Sequence, residues 1–300
     1  MTSFRLSRSV IGVLSGILAA VCYGTNPLGA LNLYNDGMNT GSVLFCRFGL
    51  ALIILTIVML CRGESFRVSR REFMILSVMG VLFSLSSLSL YVSFHYMAAG
   101  IASTLLFLYP IMTAVLMYVV FRERFSWTTA VSIVLSMVGV LLLYRGDMGT
   151  HLSTTGVILV LISSFTYALY IIFADKSGLR MSVFKVNFYV LIYCTLGALI
   201  YACFVSGDLS LPHSAKAWFY ACWLAVVPAI MALVLMYYAA QIVGSTATAI
   251  TGAFEPLTAM LIGVLVFDEP FGCKVALGMA LILASVVLIA LSKRVKGVSS

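Results

Sequence analysis

The chain has 300 residues, of which 62% are hydrophobic and 9% are charged, with a mean hydropathy of +1.12 and a formal net charge of +8. Soluble domains carry about 25% charged residues, so this composition excludes a water-soluble globular protein and indicates that lipid surrounds the chain. No basic stripe interleaved with aromatic residues occurs, which excludes nucleic acid as a partner.

Ten apolar runs are long enough to cross a bilayer, since a spanning helix needs about 20 mostly apolar residues. The first run follows Arg5 and Arg8 but is too long for the apolar core of a signal peptide, and no convincing cleavage site follows it, so we expect it to be a helix. In chain order, the runs cover roughly residues 10–34, 40–61, 72–95, 99–121, 127–144, 153–174, 182–205, 217–240, 245–267 and 273–291.

Lys and Arg alternate between two sets of loops. One set carries 13 of them, whereas the other carries only Arg145, Lys216 and Lys274. Because cytoplasmic loops are rich in Lys and Arg, we expect both termini in the cytoplasm and a multi-pass protein of the plasma (inner) membrane. Arg47 and Lys185 fall inside runs instead of loops.

The sequence also contains an internal repeat. A shift of 146 residues aligns the third to fifth runs with the eighth to tenth without a gap, and a shift of 144 aligns the first run with the sixth. The pairs that carry this alignment are Tyr91 with Tyr237, Pro110 with Pro256, Phe121 with Phe267, Glu123 with Glu269 and Phe125 with Phe271.

Two repeats of five helices each, residues 1–146 and 147–300, must insert with opposite orientations if both termini share one side. We therefore predict an all-α membrane protein in which ten transmembrane helices form two inverted five-helix repeats around a central cavity. This arrangement is typical of secondary transporters, because two similar halves can exchange conformations and open a central site to each side in turn.

Two motifs resemble those of a known family. Leu108-Tyr-Pro-Ile and Val120-Phe-Arg-Glu-Arg-Phe125 look like the first-half signature of the EamA type of the drug/metabolite transporter superfamily, and Phe254-Glu-Pro-Leu257 and Val266-Phe-Asp-Glu-Pro-Phe271 repeat it. Arg47 is similar to the Arg of an Arg-Phe pair in the family's second helix, whereas Asn187 departs from the pattern in the second half. The resemblance implies a ten-helix carrier of two EamA repeats that moves amino acids, other small metabolites or drugs, often outward.

Charged groups inside the runs are costly in lipid and are therefore candidates for function. Glu255 could bind a proton or cation, or could accept hydrogen bonds from backbone groups freed by Pro256. Arg47 could bind a substrate carboxylate or phosphate, could pair with Glu255, or could extend to the outer interface. We expect Pro110 and Pro256 to be structural hinges, and Glu269, like its counterpart, to serve helix-end packing and hydrogen bonding.

Polar and aromatic residues recur at helical spacing in aligned runs. Such stripes fit either a cavity lining or hydrogen bonding between helices, and their match across the repeat favours the cavity. The aromatic pairs fit either a cavity wall or an interfacial belt. The predicted substrate-binding residues are Tyr23, Asn26, Arg47, Ser87, Tyr91, His95, Tyr167, Tyr170, Tyr237, Gln241 and Glu255.

The sequence thus predicts a secondary transporter of small metabolites, namely amino acids or similar polar or amphipathic solutes, that works by alternating access with export as the expected direction. Zincin, nucleophile-elbow and Walker A motifs do not occur, so we predict no catalytic residues, no cofactor and no metal site. The expected partners are the small-molecule substrate, the lipid bilayer and a proton or counter-solute. A membrane-embedded enzyme or a channel acting on a small polar solute is the alternative.

Overall fold

The computed structural model of the chain describes residues 8–122, 127–145 and 153–297, and these ranges contain helices and no β-strand. The first helices are α1 (Arg8–Gly24), α2 (Asn26–Asn35), α3 (Thr40–Cys61), α4 (Arg70–Ser93), α5 (Ala99–Leu106), α6 (Tyr109–Phe121) and α7 (Trp127–Arg145). They are followed by α8 (Thr154–Lys176), α9 (Val183–Tyr201), α10 (Ala215–Leu224), α11 (Ala232–Thr251), α12 (Phe254–Phe267) and α13 (Cys273–Gly297). Two π-helical segments, Ala202–Ser206 and Ala225–Met231, follow α9 and α10.

Seven stretches of the described helices are long and apolar enough to cross a membrane, and they confirm a multi-pass membrane protein. They are Ser9–Asn35, Thr40–Cys61, Arg70–Ser93, Ala99–Phe121, Thr154–Lys176, Val183–Ser206 and Ala215–Gly244. Shorter apolar helices cover Trp127–Leu143, Phe254–Phe267 and Cys273–Leu288.

Three of the apolar segments that the sequence predicts to span the membrane are interrupted. The breaks lie at Thr25, at residues 107–108 and at residues 252–253. Pro110 lies in the first turn of α6 and Pro256 in the first turn of α12, where the N–H that proline lacks would have no partner within the helix. The two prolines thus begin new helices after a break, and do not bend a continuous helix.

Helix packing follows the repeat. The helices α3 and α9, and α7 and α13, pack against each other, so each pair joins two elements that occupy the same place in the two halves of the sequence. The helix α5 packs against α12, which corresponds to α6 in the first half. The repeat aligns α4 with the segment that leads into α11, and α1 with α8. The packed pair α4–α8 in one place therefore corresponds to the packed pair α1–α11 in the other. The correspondence in sequence is therefore matched by a correspondence in packing.

Small residues allow α7 and α13 to approach closely. A Cβ atom at Gly139 would lie 2.8 Å from the carbonyl oxygen of Gly278, and a Cβ atom at Gly278 would lie equally close to that of Gly139. Ser132 and Ser285, on the same two helices, are fully buried. Close packing of small residues is a main source of attraction between helices in lipid, where burying apolar side chains gains little.

Two seams that the repeat relates differ in chemistry. Between α4 and α8, the Ser86 hydroxyl donates to the carbonyl oxygen of Ser163 at 2.9 Å, and the Ser163 hydroxyl donates to that of Ser86 at 2.7 Å. The equivalent positions between α1 and α11 are Ala19 and Ala232, and both side chains are fully buried. Reciprocal hydrogen bonds thus join one seam, whereas the other contains only methyl groups at these positions.

Candidate functional site

A cavity of about 350 Å³ lies where the three helix breaks meet. This volume is at the lower end of the range for sites that bind small molecules, roughly 300–1,000 Å³. Each break contributes two residues that lie in it or beside it, and these are Tyr23 and Asn26, Leu106 and Tyr109, and Gly252 and Glu255. In transporters, interrupted helices supply polar backbone ends to a site that is otherwise surrounded by apolar side chains.

Arg47 on α3 is the cationic group of the cavity, and it is only 7% exposed. Its Nη1 donates a hydrogen bond to the Tyr91 hydroxyl, which in turn donates to Oδ1 of Asn26 at 3.2 Å. The guanidinium also lies 5.1 Å from the ring centre of Phe48 and 5.3 Å from that of Tyr91. Its Nε is buried and has no hydrogen-bond partner in the part of the chain that the structure describes.

An unsatisfied guanidinium N–H is costly to bury, and the charged guanidinium is a strong donor toward a carboxylate or phosphate. The surroundings of Arg47 also decide between the roles considered for it. The side chain lines the cavity and does not extend to the outer interface. Among the described residues, no carboxylate lies within 4.0 Å of its nitrogen atoms, so it forms no direct ion pair with Glu255.

Glu255 is the anionic group of the cavity and lies in the first turn of α12. The positive end of the helix dipole favours a negative charge at this position. No side chain or backbone N–H of the described residues donates a hydrogen bond to its carboxylate, so it does not bind the backbone groups freed near Pro256. The carboxylate is thus available to a ligand.

Aromatic rings form one wall of the cavity. The rings of Tyr109 and Tyr167 meet edge to face at 4.7 Å, and the Phe83 ring lies 5.9 Å from that of Tyr167. Tyr170 stacks on Tyr167 at 5.8 Å, with 13° between the ring planes, and supports this wall from behind. Such a surface suits a flat or apolar part of a ligand.

The structure brings seven of the eleven predicted binding residues to the cavity lining. They are Tyr23, Asn26, Arg47, Ser87, Tyr91, Tyr167 and Glu255. They come from six different helices, and Tyr170 lies directly behind them.

His95 lies away from the cavity. It follows the end of α4, where its Nε2 is 3.0 Å from the Thr40 hydroxyl and its ring lies 4.3 Å from that of Tyr34. Burial lowers the pKa of this imidazole. His95 thus belongs to a small cluster at the end of the bundle, about one helical turn beyond Tyr91.

Tyr237 and Gln241 also lie away from the cavity, since Tyr237 is 41% exposed and Gln241 is exposed. Their neighbours Met236 and Ala240 line the cavity instead. The π-helical segment Ala225–Met231, which precedes α11, explains the difference. An extra residue in a helical turn rotates the following residues by about 100° relative to a regular α-helix, and α4 has no such segment.

Sequence reasoning missed Phe83, Ser86 and Tyr109 as lining residues. Tyr109 had a usable signal, because it precedes Pro110 in the repeated motif and lies beside a helix break. Ser86 is adjacent to the predicted Ser87. Within the described ranges, no three His, Cys, Asp or Glu side chains come together in a way that could hold a metal ion.

Comparison with known proteins gives the chain a family context. The profile of the EamA-like transporter family matches residues 10–145 and again residues 154–291. An uncharacterized transporter of Archaeoglobus fulgidus is 26% identical over 292 residues, which are 96% of this chain and 98% of that protein. An uncharacterized transporter of Synechocystis is 28% identical over 222 residues, which are 70% of this chain but only 64% of that protein.

A crystal structure of a protein shares the fold. It matches 96% of this chain and 99% of its own chain with a TM-score of 0.67, at 19% sequence identity. The sequence similarity to the Archaeoglobus fulgidus transporter and the similarity of fold to this structure each extend over 96% of the chain.

Proposed function

Because the chain belongs to the EamA-like transporter family, we propose that it is a secondary carrier that exports small zwitterionic metabolites, such as amino acids, by alternating access. Transport of small solutes agrees with its relatives, which are named transporters. The observation that carries the choice of solute is a cavity lined by both the guanidinium of Arg47 and the carboxylate of Glu255, which receives no hydrogen bond from the residues that the structure describes.

The proposed membrane topology has ten spans in two inverted repeats, residues 1–146 and 147–300, with both termini on the cytoplasmic side of the plasma (inner) membrane. The seven long spans and the shorter apolar helices support this count. The exchange of helix pairs under the repeat supports two equivalent halves. The excess of Lys and Arg in one set of loops supports the orientation.

The charges of the cavity match a zwitterion. Arg47 would bind the carboxylate of the solute and Glu255 would bind its ammonium group, so that each buried charge gains a partner. The wall of Tyr109, Tyr167 and Phe83 would take the apolar side chain. A solute with only one of the two charges would leave the other group of the cavity unpaired in a region of low dielectric constant.

Alternating access would use the helix breaks. The helices on either side of residues 107–108 and 252–253 would change direction there, because three-residue turn bonds, such as that from the Glu255 N–H to the Gly252 carbonyl oxygen at 2.9 Å, replace the regular α-helical bonds at these places. Pro110 and Pro256 would keep these hinges in position. When no solute is present, Glu255 would bind the proton or cation of a coupled gradient. In an exchange mechanism, a counter-solute would occupy the site instead.

The test compares three solutes that share a phenyl group and an ethyl chain, in vesicles that contain the purified protein. Phenylalanine carries both charges, phenethylamine lacks the carboxylate and 3-phenylpropanoate lacks the ammonium group. We expect phenylalanine to move at least about tenfold faster than either analogue, since a hydrogen bond to a charged group contributes about 1.5–3 kcal/mol. Empty vesicles give the background rate.

The variant Glu255→Gln sharpens the comparison, because it removes the charge and keeps the shape. In this variant, the transport rate of 3-phenylpropanoate should rise relative to that of phenylalanine, since the ammonium group of phenylalanine no longer has an anionic partner. Equal rates for the three solutes in the wild-type protein, or an unchanged preference in Glu255→Gln, would contradict the zwitterion proposal.

A further inference from the structure

Glu269 joins the two halves of the molecule at a distance from the cavity. It lies in the loop between α12 and α13, and its carboxylate contacts the first turn of α5. The backbone N–H of Ala99 donates to Oε1 at 2.6 Å, and that of Gly100 donates to Oε2 at 3.2 Å. The first N–H groups of a helix have no partner within it, so this carboxylate satisfies two of them from the other half of the chain.

The local backbone aims Glu269 at this target. Asp268 ends α12 in the left-handed conformation, with φ 52°, which is uncommon for a residue other than glycine. The N–H of Glu269 then donates to the carbonyl oxygen of Gly263 at 3.0 Å. Burial raises the pKa of the Glu269 carboxyl, and the hydrogen bonds from Ala99 and Gly100 oppose that rise.

The contact is tightly packed. A Cβ atom at Gly100 would lie 3.2 Å from Oε2 of Glu269 and 2.8 Å from Cα of Met260, so only glycine leaves room for the carboxylate beside α12. The helix α5 ends at Leu106 in the cavity lining, and eight helical residues span about 12 Å. The Glu269 contact therefore lies about one short helix away from the cavity, on one side of it.

We propose that Glu269 is a positioning residue for transport, a latch that holds α5 against α12 and so keeps one side of the carrier closed. The proposal rests on the carrier function proposed above. By the orientation inferred from the loop charges, this side is the outer one. Opening of the cavity to the outside then requires the carboxylate to leave the N–H groups of Ala99 and Gly100.

The sequence repeat places an equivalent glutamate on the opposite side. Arg122 aligns with Asp268 and also has a left-handed backbone, with φ 54°. In both places the next residue is a glutamate, Glu269 or Glu123, although Glu123 itself lies outside the described residues. A carrier with two states needs one latch for each, and the sequence supplies two equivalent glutamates in equivalent positions.

The test measures how fast the cavity reacts with a membrane-impermeant maleimide applied to the outside of intact cells. The reporter is Ser87→Cys, which places a thiol in the cavity lining. The exposed cysteines Cys61, Cys203, Cys222 and Cys273 are replaced by serine, and the buried Cys22, Cys46 and Cys194 remain. The protein without the reporter gives the background.

We expect Glu269→Gln to raise the labelling rate about tenfold, because the loss of a charge-assisted hydrogen bond shifts the balance toward the outward-open state by about that factor. A second variant, Ala99→Pro, removes one of the two donors and leaves Glu269 unchanged. Proline fits the first position of α5, and the preceding residue Ala98 already has the extended conformation that proline requires, with φ −52° and ψ 130°. It should raise labelling in the same direction.

The matched control is Glu72→Gln. The Glu72 carboxylate also accepts a backbone N–H at the start of a helix, from Ser69 at 2.7 Å, but within its own helix α4. Labelling in this control should stay at the wild-type rate. The latch is wrong if Glu269→Gln and Ala99→Pro label at the wild-type rate, or if Glu72→Gln accelerates labelling equally. Because labelling needs no solute, it separates a failed latch from a failed transport proposal.

Discussion

The helices α4 and α11 occupy equivalent places in the repeat, yet they face the cavity with different chemistry. α4 contributes hydroxyl groups from Ser86, Ser87 and Tyr91 beside the apolar Phe83 and Leu90, whereas the α11 residues before its kink, Met236 and Ala240, are all apolar. The repeat thus provides a symmetric scaffold on which the binding surface itself is asymmetric.

The same difference separates the seams beside the cavity. The α4–α8 seam is joined by the reciprocal hydrogen bonds of Ser86 and Ser163, and the α1–α11 seam has alanine at both equivalent positions. Seams that must move past each other need few directional bonds, whereas seams that stay together can keep them. We infer that α4 and α8 stay together during transport and that α1 and α11 change their contact.

The largest expected effect comes from the charge that only one half possesses. Arg47 has no arginine as its counterpart, since Asn187 lies near the equivalent place and donates to the carbonyl oxygen of Val183 at 2.8 Å. Arg47→Met keeps much of the volume and removes the donors that would bind the solute carboxylate. We expect transport efficiency for phenylalanine to fall about 100-fold, from the loss of charge-assisted hydrogen bonds.

The measurement is initial uptake into vesicles over a range of solute concentrations. Arg47→Lys is the matched variant, and it should retain part of the activity because it keeps the charge but not the forked geometry. Wild-type efficiency in Arg47→Met, in protein that elutes as a single species from gel filtration, would exclude Arg47 from the binding site.

A smaller effect should distinguish two tyrosines that the sequence aligns. Tyr91→Phe removes the hydroxyl that accepts from Arg47 and donates to Asn26. Tyr237→Phe removes the equivalent hydroxyl on the exposed side of α11. We expect Tyr91→Phe to raise the apparent KM about tenfold, because a buried hydrogen bond at the site is lost. Tyr237→Phe should leave the apparent KM within about twofold, because no such bond is lost. Equal effects would show that the two helices present the same face to the solute.

The smallest expected effect concerns the seams. Ser163→Ala removes the hydrogen bond from the Ser163 hydroxyl to the carbonyl oxygen of Ser86, leaves the one that Ser86 donates to the backbone of residue 163, and creates the alanine found in the other seam. Hydrogen bonds between membrane helices contribute about 0.6 kcal/mol on average, so the Tm in detergent should fall by only about 2 °C. A higher Tm would mean that the serines weaken this seam, contrary to the proposed fixed contact.

The sequence predicted the helical membrane fold because the apolar runs and loop charges report directly on lipid. It also predicted hinges at Pro110 and Pro256; both prolines lie in the first turn of a helix that follows a break, and bending at these places stays a prediction. The convergence of Arg47 and Tyr91 was predictable from polar groups that lipid would not tolerate.

The part that could not be predicted is the orientation of α11 about its own axis. It depends on the π-helical segment around Pro228, which precedes this helix. The pattern of apolar residues contains no trace of this segment, because Met236 and Ala240 would suit lipid as well as a cavity. For the same reason Tyr237 and Gln241, which look polar enough for a site, were assigned to the wrong face of the helix.

The central claim is that this cavity belongs to a carrier that exposes it to each side in turn. Counterflow tests that claim most directly. Vesicles that contain the protein are preloaded with unlabelled phenylalanine, and a trace of labelled phenylalanine is added outside. We predict that labelled solute transiently accumulates above its equilibrium level, because each inward step is coupled to an outward step through the same site. A monotonic approach to equilibrium, as through a channel, or entry no faster than into empty vesicles, would contradict the carrier.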